Sequence, residues 1–161
     1  MAITGGTGTV NITVIKAVTK VENNPVGNQD SVLRLGTTGK YAFVISGDTC
    51  HSVLILPAHI TFAQLNGQQL TDIQNFLHPF KIIIIDEMSM MGKQTLYYID
   101  QILKQASGKM DQPVGSFGII FVGNFQKLPP VTEIVMCKVD VSASYLLYEA
   151  IKNDIMIQTS H

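Results

Sequence analysis

Three short clusters carry the side chains that could do chemistry. The first is T-G-G-T-G-T-V-N-I, Thr4 to Ile12. Gly5, Gly6 and Gly8, interleaved with Thr7 and Thr9, suit a turn whose backbone N–H groups close on a phosphate, with the dipole of a following helix adding attraction. A phosphate loop reads G-x-x-x-x-G-K-[ST]. Counted from Gly5, this chain has Val10, Asn11 and Ile12 where glycine, lysine and a hydroxyl residue belong. A glycine-rich turn without function explains the cluster equally well when it is taken alone. The second cluster, I-I-I-I-D-E, Ile82 to Glu87, sets two carboxylates at the end of a solid apolar run. In a nucleotide hydrolase the first carboxylate, Asp86, holds magnesium and the second, Glu87, orients the attacking water. The bland reading is a solvated acidic pair that opens a loop. The third, F-V-G-N-F-Q-K-L-P-P-V, Phe121 to Val131, places Asn124, Gln126 and Lys127 between an apolar run and a rigid double proline. Those three could flank a phosphate, or belong to an ordinary proline-ended loop.

Such residues need elements to aim them, and the apolar pattern supplies candidates. Ser31–Leu35, Lys81–Ile85 and Phe117–Val122 read as strands apolar on both faces, which belong in a parallel sheet covered by helices on each side. Met1–Thr4 and Asp154–Gln158 add a first and a last strand, for five in all. Helices are expected at Val10–Lys20, Gln68–Leu77, Lys93–Gln105 and Ser142–Lys152. In the third of these, Leu96, Ile99 and Leu103 recur on one helical face. Gly36–Gly39 reads as a turn and Gly47–Gly67 as loop. Strands alternating with helices give an α/β doubly wound sheet, with the strand run ending at Asp86 over the crevice where such sheets bind ligands.

Composition limits the choices further. The 161 residues are 46% apolar and only 14% charged, which excludes disorder and coiled coil and makes one domain the default. No apolar run approaches the ~20 residues of a membrane helix, and no signal-peptide pattern opens the chain, so an intracellular protein with no membrane partner is expected. Eleven basic and twelve acidic residues leave a net charge of -1, so bulk charge does not attract nucleic acid, although a local strip still could. Cys50 and Cys137 lack metal or disulfide spacing and read as reduced thiols; the histidines show no ligand spacing either.

In this order the clusters resemble one family, the Pif-one (petite integration frequency) DNA helicases, whose motor domains are RecA-like. T-G-K-Y-A, Thr38 to Ala42, is similar to that family's T-G-K-x-A segment. G-D-T-C-H-S, Gly47 to Ser52, is similar to its G-x-T-x-H-S segment, and I-D-E-M-S-M-M-G, Ile85 to Gly92, to I-D-E-x-S-M-x. The resemblance runs from Thr4 nearly to the C-terminus. It implies a three-layer α/β/α RecA-like P-loop domain, with the strand ending at Gly123 lying between the first strand and the one ending at Asp86. It also implies ATP and Mg2+ as cofactors and 5′ to 3′ unwinding of DNA in repair, recombination and telomere maintenance, in the nucleus or mitochondrion. By residue, Gly5, Gly6, Thr7, Gly8 and Thr9 would wrap the phosphates, Asp86 would hold magnesium and Glu87 would be the general base. Thr38, Gly39, Lys40, Thr49 and His51 would line a single-stranded DNA track.

The departures from the family matter as much. Asn11 replaces the phosphate-binding lysine, Ile12 the magnesium hydroxyl, and Val10 a glycine, whose positive φ a β-branched side chain resists. The family's G-D-F-x-Q-L-P-P becomes G-N-F-Q-K-L-P-P, with Asn124 for aspartate and Lys127 for the phosphate-sensing glutamine, Gln126 lying one place away. On this comparison residues 1–161 form a single motor domain, short of the adenine-recognising segment and of the second RecA-like domain with its arginine fingers. A weakened or absent ATPase is the expectation, and the DNA-binding is expected to be weak. Two alternatives stay open: a non-catalytic DNA- or protein-binding module from a decayed helicase gene, and a dinucleotide binder. The second rests on the likeness of Thr4–Val10 to the turn of short-chain dehydrogenases and on the pair Tyr148 and Lys152, with no serine about thirteen residues before Tyr148 to complete that set.

Overall fold

Isoleucine and valine, branched at Cβ, pack well on a pleated surface, and the runs rich in them form the middle of a parallel sheet. The computed structural model describes residues 2–4, 8–22, 31–57, 64–123 and 156–158. Its strands are β1 (Ala2–Thr4), β2 (Val32–Gly36), β3 (Asp48–Thr49), β4 (Ile82–Asp86), β5 (Gly118–Val122) and β6 (Met156–Gln158). They lie in the order β3-β2-β4-β5-β1-β6, and every pairing is parallel. β5 therefore sits between β1 and β4, as expected. The expected count of five strands is corrected to six among the described residues: β3, a two-residue strand with an exposed aspartate, is too short and too polar to show as an apolar run.

Successive side chains of β4 serve opposite faces of the sheet. Ile83 and Ile85 pack with Leu33, Leu35, Ile119 and Phe121 in one core, while Ile84 packs with Val32, Val122 and Ile15 in another. All three of these β4 isoleucines are fully buried, each contributing roughly 1.5–3 kcal/mol of burial. The helices supply the outer layers: α1 (Gly8–Glu22) carries Ile15 to the second core, and α4 (Gly67–Leu77) and α5 (Lys93–Ser107) carry Ile73, Leu77, Leu96, Ile99 and Leu103 to the first. The expected stripe on α5 is thus the buried one. The described part is the three-layer α/β/α arrangement.

Thr37 and Thr38 form the expected bend after β2, but the expectation of loop from Gly47 is corrected where β3 and a helix stand. Gly39–Val44 is a helix (α2), and Cys50–Val53 another (α3), on either side of β3. Two or fewer turns cannot show a helical period. What holds α2 is a close approach: a Cβ on Gly36 would lie 2.2 Å from the Ala42 backbone nitrogen. The expected helix at residues 142–152 lies outside the described residues.

Candidate functional site

Parallel pairing sets one row of residues along the carboxyl edge of the sheet. Thr49, Gly36, Asp86, Val122, Ile3 and Ile157 are register partners in turn. At 4.7–4.9 Å between strands, Ile3 on one side and Thr49 on the other each stand about 10 Å from Asp86. The β1 end that precedes the glycine cluster, the carboxylate pair, and the segments after β2 and β3 therefore share one edge. This is the crevice in which open α/β sheets bind ligands.

The carboxylate pair is built into that edge. Asp86 and Glu87 are only 5% and 2% exposed. Glu87 takes the left-handed conformation, φ 60° and ψ 51°, and opens a 3-10 turn over Met88–Met90. A non-glycine residue there carries strain, which persists only where neighbours hold it. Three neighbours do so. The Thr37 N–H donates to the Asp86 carbonyl at 3.3 Å, and the Thr37 hydroxyl to the Glu87 carbonyl at 3.3 Å. The Ser89 hydroxyl donates to Oε1 of Glu87. Gly123, with φ 146°, presses on the turn so closely that a Cβ would lie 2.8 Å from the Met88 nitrogen. Two adjacent buried carboxylates suit a divalent cation better than an apolar ligand. The described residues hold no group of three or more metal-ligating side chains. Magnesium in phosphate sites needs only one or two carboxylates, the remainder being water and phosphate oxygen. Asp86 fits that part, whereas Ile12, half-buried on α1, offers no oxygen.

Beyond β2 and β3, Thr38, Gly39, Lys40 and His51 are exposed. Thr49 serves its own helix: its hydroxyl caps α3, accepting from the Ser52 N–H at 3.2 Å, and lies 2.8 Å from the Ser52 hydroxyl. A cavity of about 60 Å³, lined by Thr37, Cys50, His51, Met90, Met91 and Thr95, joins this segment to the turn behind Glu87. Burial pushes the Cys50 thiol up to about 12, a backbone hydrogen bond opposing it weakly.

Of the residues expected from sequence, Asp86, Glu87, Thr38, Gly39, Lys40, Thr49 and His51 fall along one edge. Gly5, Gly6, Thr7, Asn124, Gln126 and Lys127 lie outside the described residues, as do Tyr148 and Lys152. α1 starts at Gly8 instead of Val10. Gly8, Thr9, Val10 and Asn11 therefore belong to its first turns. Sequence reading passed over Thr37 and Gly123. Neither carries a distinctive residue type, and only the approach of β2 and β5 to the Glu87 turn gives them a role.

Residues 1–158 match the family described as PIF1-like helicase. The ATP-dependent DNA helicase PIF1 of Trypanosoma brucei brucei is 31% identical over 102 residues, 63% of this chain and 10% of that protein. Bacteroides sp Pif1 in complex with ADP-AlF4 is 26% identical with a TM-score of 0.67, over 82% of this chain and 30% of that one. The Bacteroides Pif1 helicase with ADP-AlF3 and single-stranded DNA is 25% identical with a TM-score of 0.61, again over 82% and 30%. The chain spans 10% to 23% of the length of the curated relatives it matches.

Proposed function

The chain belongs to the PIF1-like helicase family, and we propose that it forms the RecA-like nucleotide-binding motor domain of an ATP-dependent DNA helicase, with a weakened ATP site. The observation that carries this reading is the single edge on which β1, preceding the glycine cluster, and the Asp86–Glu87 pair stand two strands apart. In this reading Gly5 to Thr9 wrap the phosphates of ATP, Asp86 holds magnesium and Glu87 orients the attacking water. Asn124, Gln126 and Lys127 stand beside the phosphate. Magnesium, when bound, neutralises charge on the phosphoryl oxygens. Single-stranded DNA passes over Thr38, Gly39, Lys40 and His51, in the nucleus or mitochondrion and in the service of repair, recombination or telomere maintenance.

The weakness follows from Asn11 and Ile12. Losing a charged hydrogen bond to phosphate costs about 1.5–3 kcal/mol, and the missing hydroxyl removes a metal ligand. Arg34, the only arginine in these 161 residues, lies half-buried in β2. The test is magnesium-dependent ATP binding and turnover by the purified chain, with and without single-stranded DNA. Weak binding and turnover near the detection limit are expected. The triple variant V10G/N11K/I12S should bind ATP roughly 10- to 100-fold tighter, with a smaller gain in turnover. DNA-stimulated hydrolysis at full helicase rates by the unaltered chain would overturn the weakened site, and no binding by the triple variant would overturn the ATP site itself. Asn11 and Ile12 also favour a second reading, a DNA-binding module without ATP chemistry; retained DNA binding beside a silent triple variant would select it.

A further inference from the structure

α2 turns one side to the sheet and another to solvent. Ala42 is 4% exposed beneath it, whereas Phe43 is 86% exposed. Lys40, exposed one turn earlier, shares the face of Phe43 at i, i+3, and half-exposed Val44 continues it at i, i+4. A phenylalanine ring left almost wholly in water contributes little to this fold. Its place relative to Lys40 gives it another use.

We infer that Phe43 is a stacking platform for one base of a single-stranded nucleic acid whose phosphates pass over Thr38, Gly39 and Lys40. The inference rests on the DNA track proposed above and adds to it a contact with the bases. Lys40 lies in the first turn of α2, and Phe43 lies about 4.5 Å further along the helix axis. A strand held by its phosphates at Lys40 can lay a base down along the helix onto the ring. An ammonium for the backbone and an aromatic face for the base are the pairing that sequence-tolerant single-strand binders use. From Thr38 to Val53 Asp48 is the single carboxylate, and the other titratable residues besides Lys40 are Tyr41, Cys50 and His51, so the segment does not repel a polyanion. A protein partner is a poorer match, because one ring and one valine on a six-residue helix fall far short of the roughly 800 Å² per partner of a stable interface.

The experiment compares two short fluorescent strands of equal length and charge, an oligothymidylate and its fully abasic counterpart, by anisotropy at low salt. The unaltered chain should bind the oligothymidylate roughly 5- to 30-fold more tightly than the abasic strand. Phe43→Ala should bind both at the abasic level, and Phe43→Trp should restore the preference. Lys40→Ala should weaken both strands alike and lower the salt slope by about one, keeping the preference. Thermal unfolding checks that the exposed substitutions leave the fold intact. Equal binding of the two strands by the unaltered chain, or a preference that survives Phe43→Ala, would overturn the stacking and leave the track standing. Binding of neither strand would remove the track, and the stacking with it. Concentration-dependent self-association abolished by Phe43→Ala would overturn the inference in favour of a second copy of this chain.

Discussion

Glu87 is held in its left-handed conformation by contacts from two different strands, Thr37 after β2 and Gly123 after β5. Replacing Gly123 with alanine sets a methyl group against the Met88 nitrogen at a φ that alanine avoids. About 1–3 kcal/mol of destabilisation is expected, measurable by urea unfolding, together with a shifted Glu87 turn. Thr37→Val keeps the shape but removes the hydroxyl bond to the Glu87 carbonyl, and should cost only about 0.5–1.5 kcal/mol in the same assay. Cys50 sets a pH dependence. Its thiol is raised from an ordinary 9.0 to about 12 by burial, so the unfolded chain ionises there before the folded one. The stability contributed by the protonated thiol is complete below pH 9 and falls by about 1.4 kcal/mol per pH unit from there towards pH 12. Cys50→Ala should flatten that part of the profile; an unchanged alkaline slope in denaturant unfolding would refute it.

At the scale of elements, Asp100 ties α5 to the turn Pro113–Ser116 that leads into β5. One carboxylate oxygen accepts the Val114 N–H at 2.7 Å, and the other pairs with Lys104 at 2.7 Å. Val114 and Gly115 both have positive φ, and a Cβ on Gly115 would strike the Leu103 carbonyl at 2.4 Å. The turn is therefore seated against α5 by geometry as well as by charge. Asp100→Ala leaves an N–H and an ammonium without their acceptor and should cost about 2–4 kcal/mol. Asp100→Asn, which keeps an acceptor for Val114, should cost less, as thermal melts of the two variants would show. α4 begins in a capping box, Asn66 accepting from the Gln69 N–H while Gln69 returns a bond to the Asn66 N–H. Asn66→Ala should cost about 1 kcal/mol.

Across the whole molecule, the sheet order brings segments distant in sequence to one edge. The proposed nucleotide side follows β1 and β4, and the proposed DNA side follows β2 and β3, with Thr37 and the small cavity between them. Binding of DNA to so short a segment engages few phosphates, so affinity should be weak and fall only moderately with salt, by a log–log slope of about 0.7 per phosphate. Titration of the purified chain with single-stranded DNA at several salt concentrations checks this. A log–log slope near zero would show that phosphates contribute nothing.

The alternation of isoleucine-rich strands with helices was legible in the sequence because burial on both faces of a parallel sheet demands solid apolar runs. So was the acidic pair, because Asp86 and Glu87 interrupt such a run at its end. The α5 stripe was legible too, since fifteen residues display a helical period. α2, β3 and α3 were not, because elements of six residues or fewer carry no period, and α2 in addition depends on Gly36 yielding space to Ala42. The roles of Thr37 and Gly123 could not be read either. Hydrogen-bond reach and close approach join residues fifty or thirty-six positions apart, and only the order in which the strands lie side by side decides which of them meet.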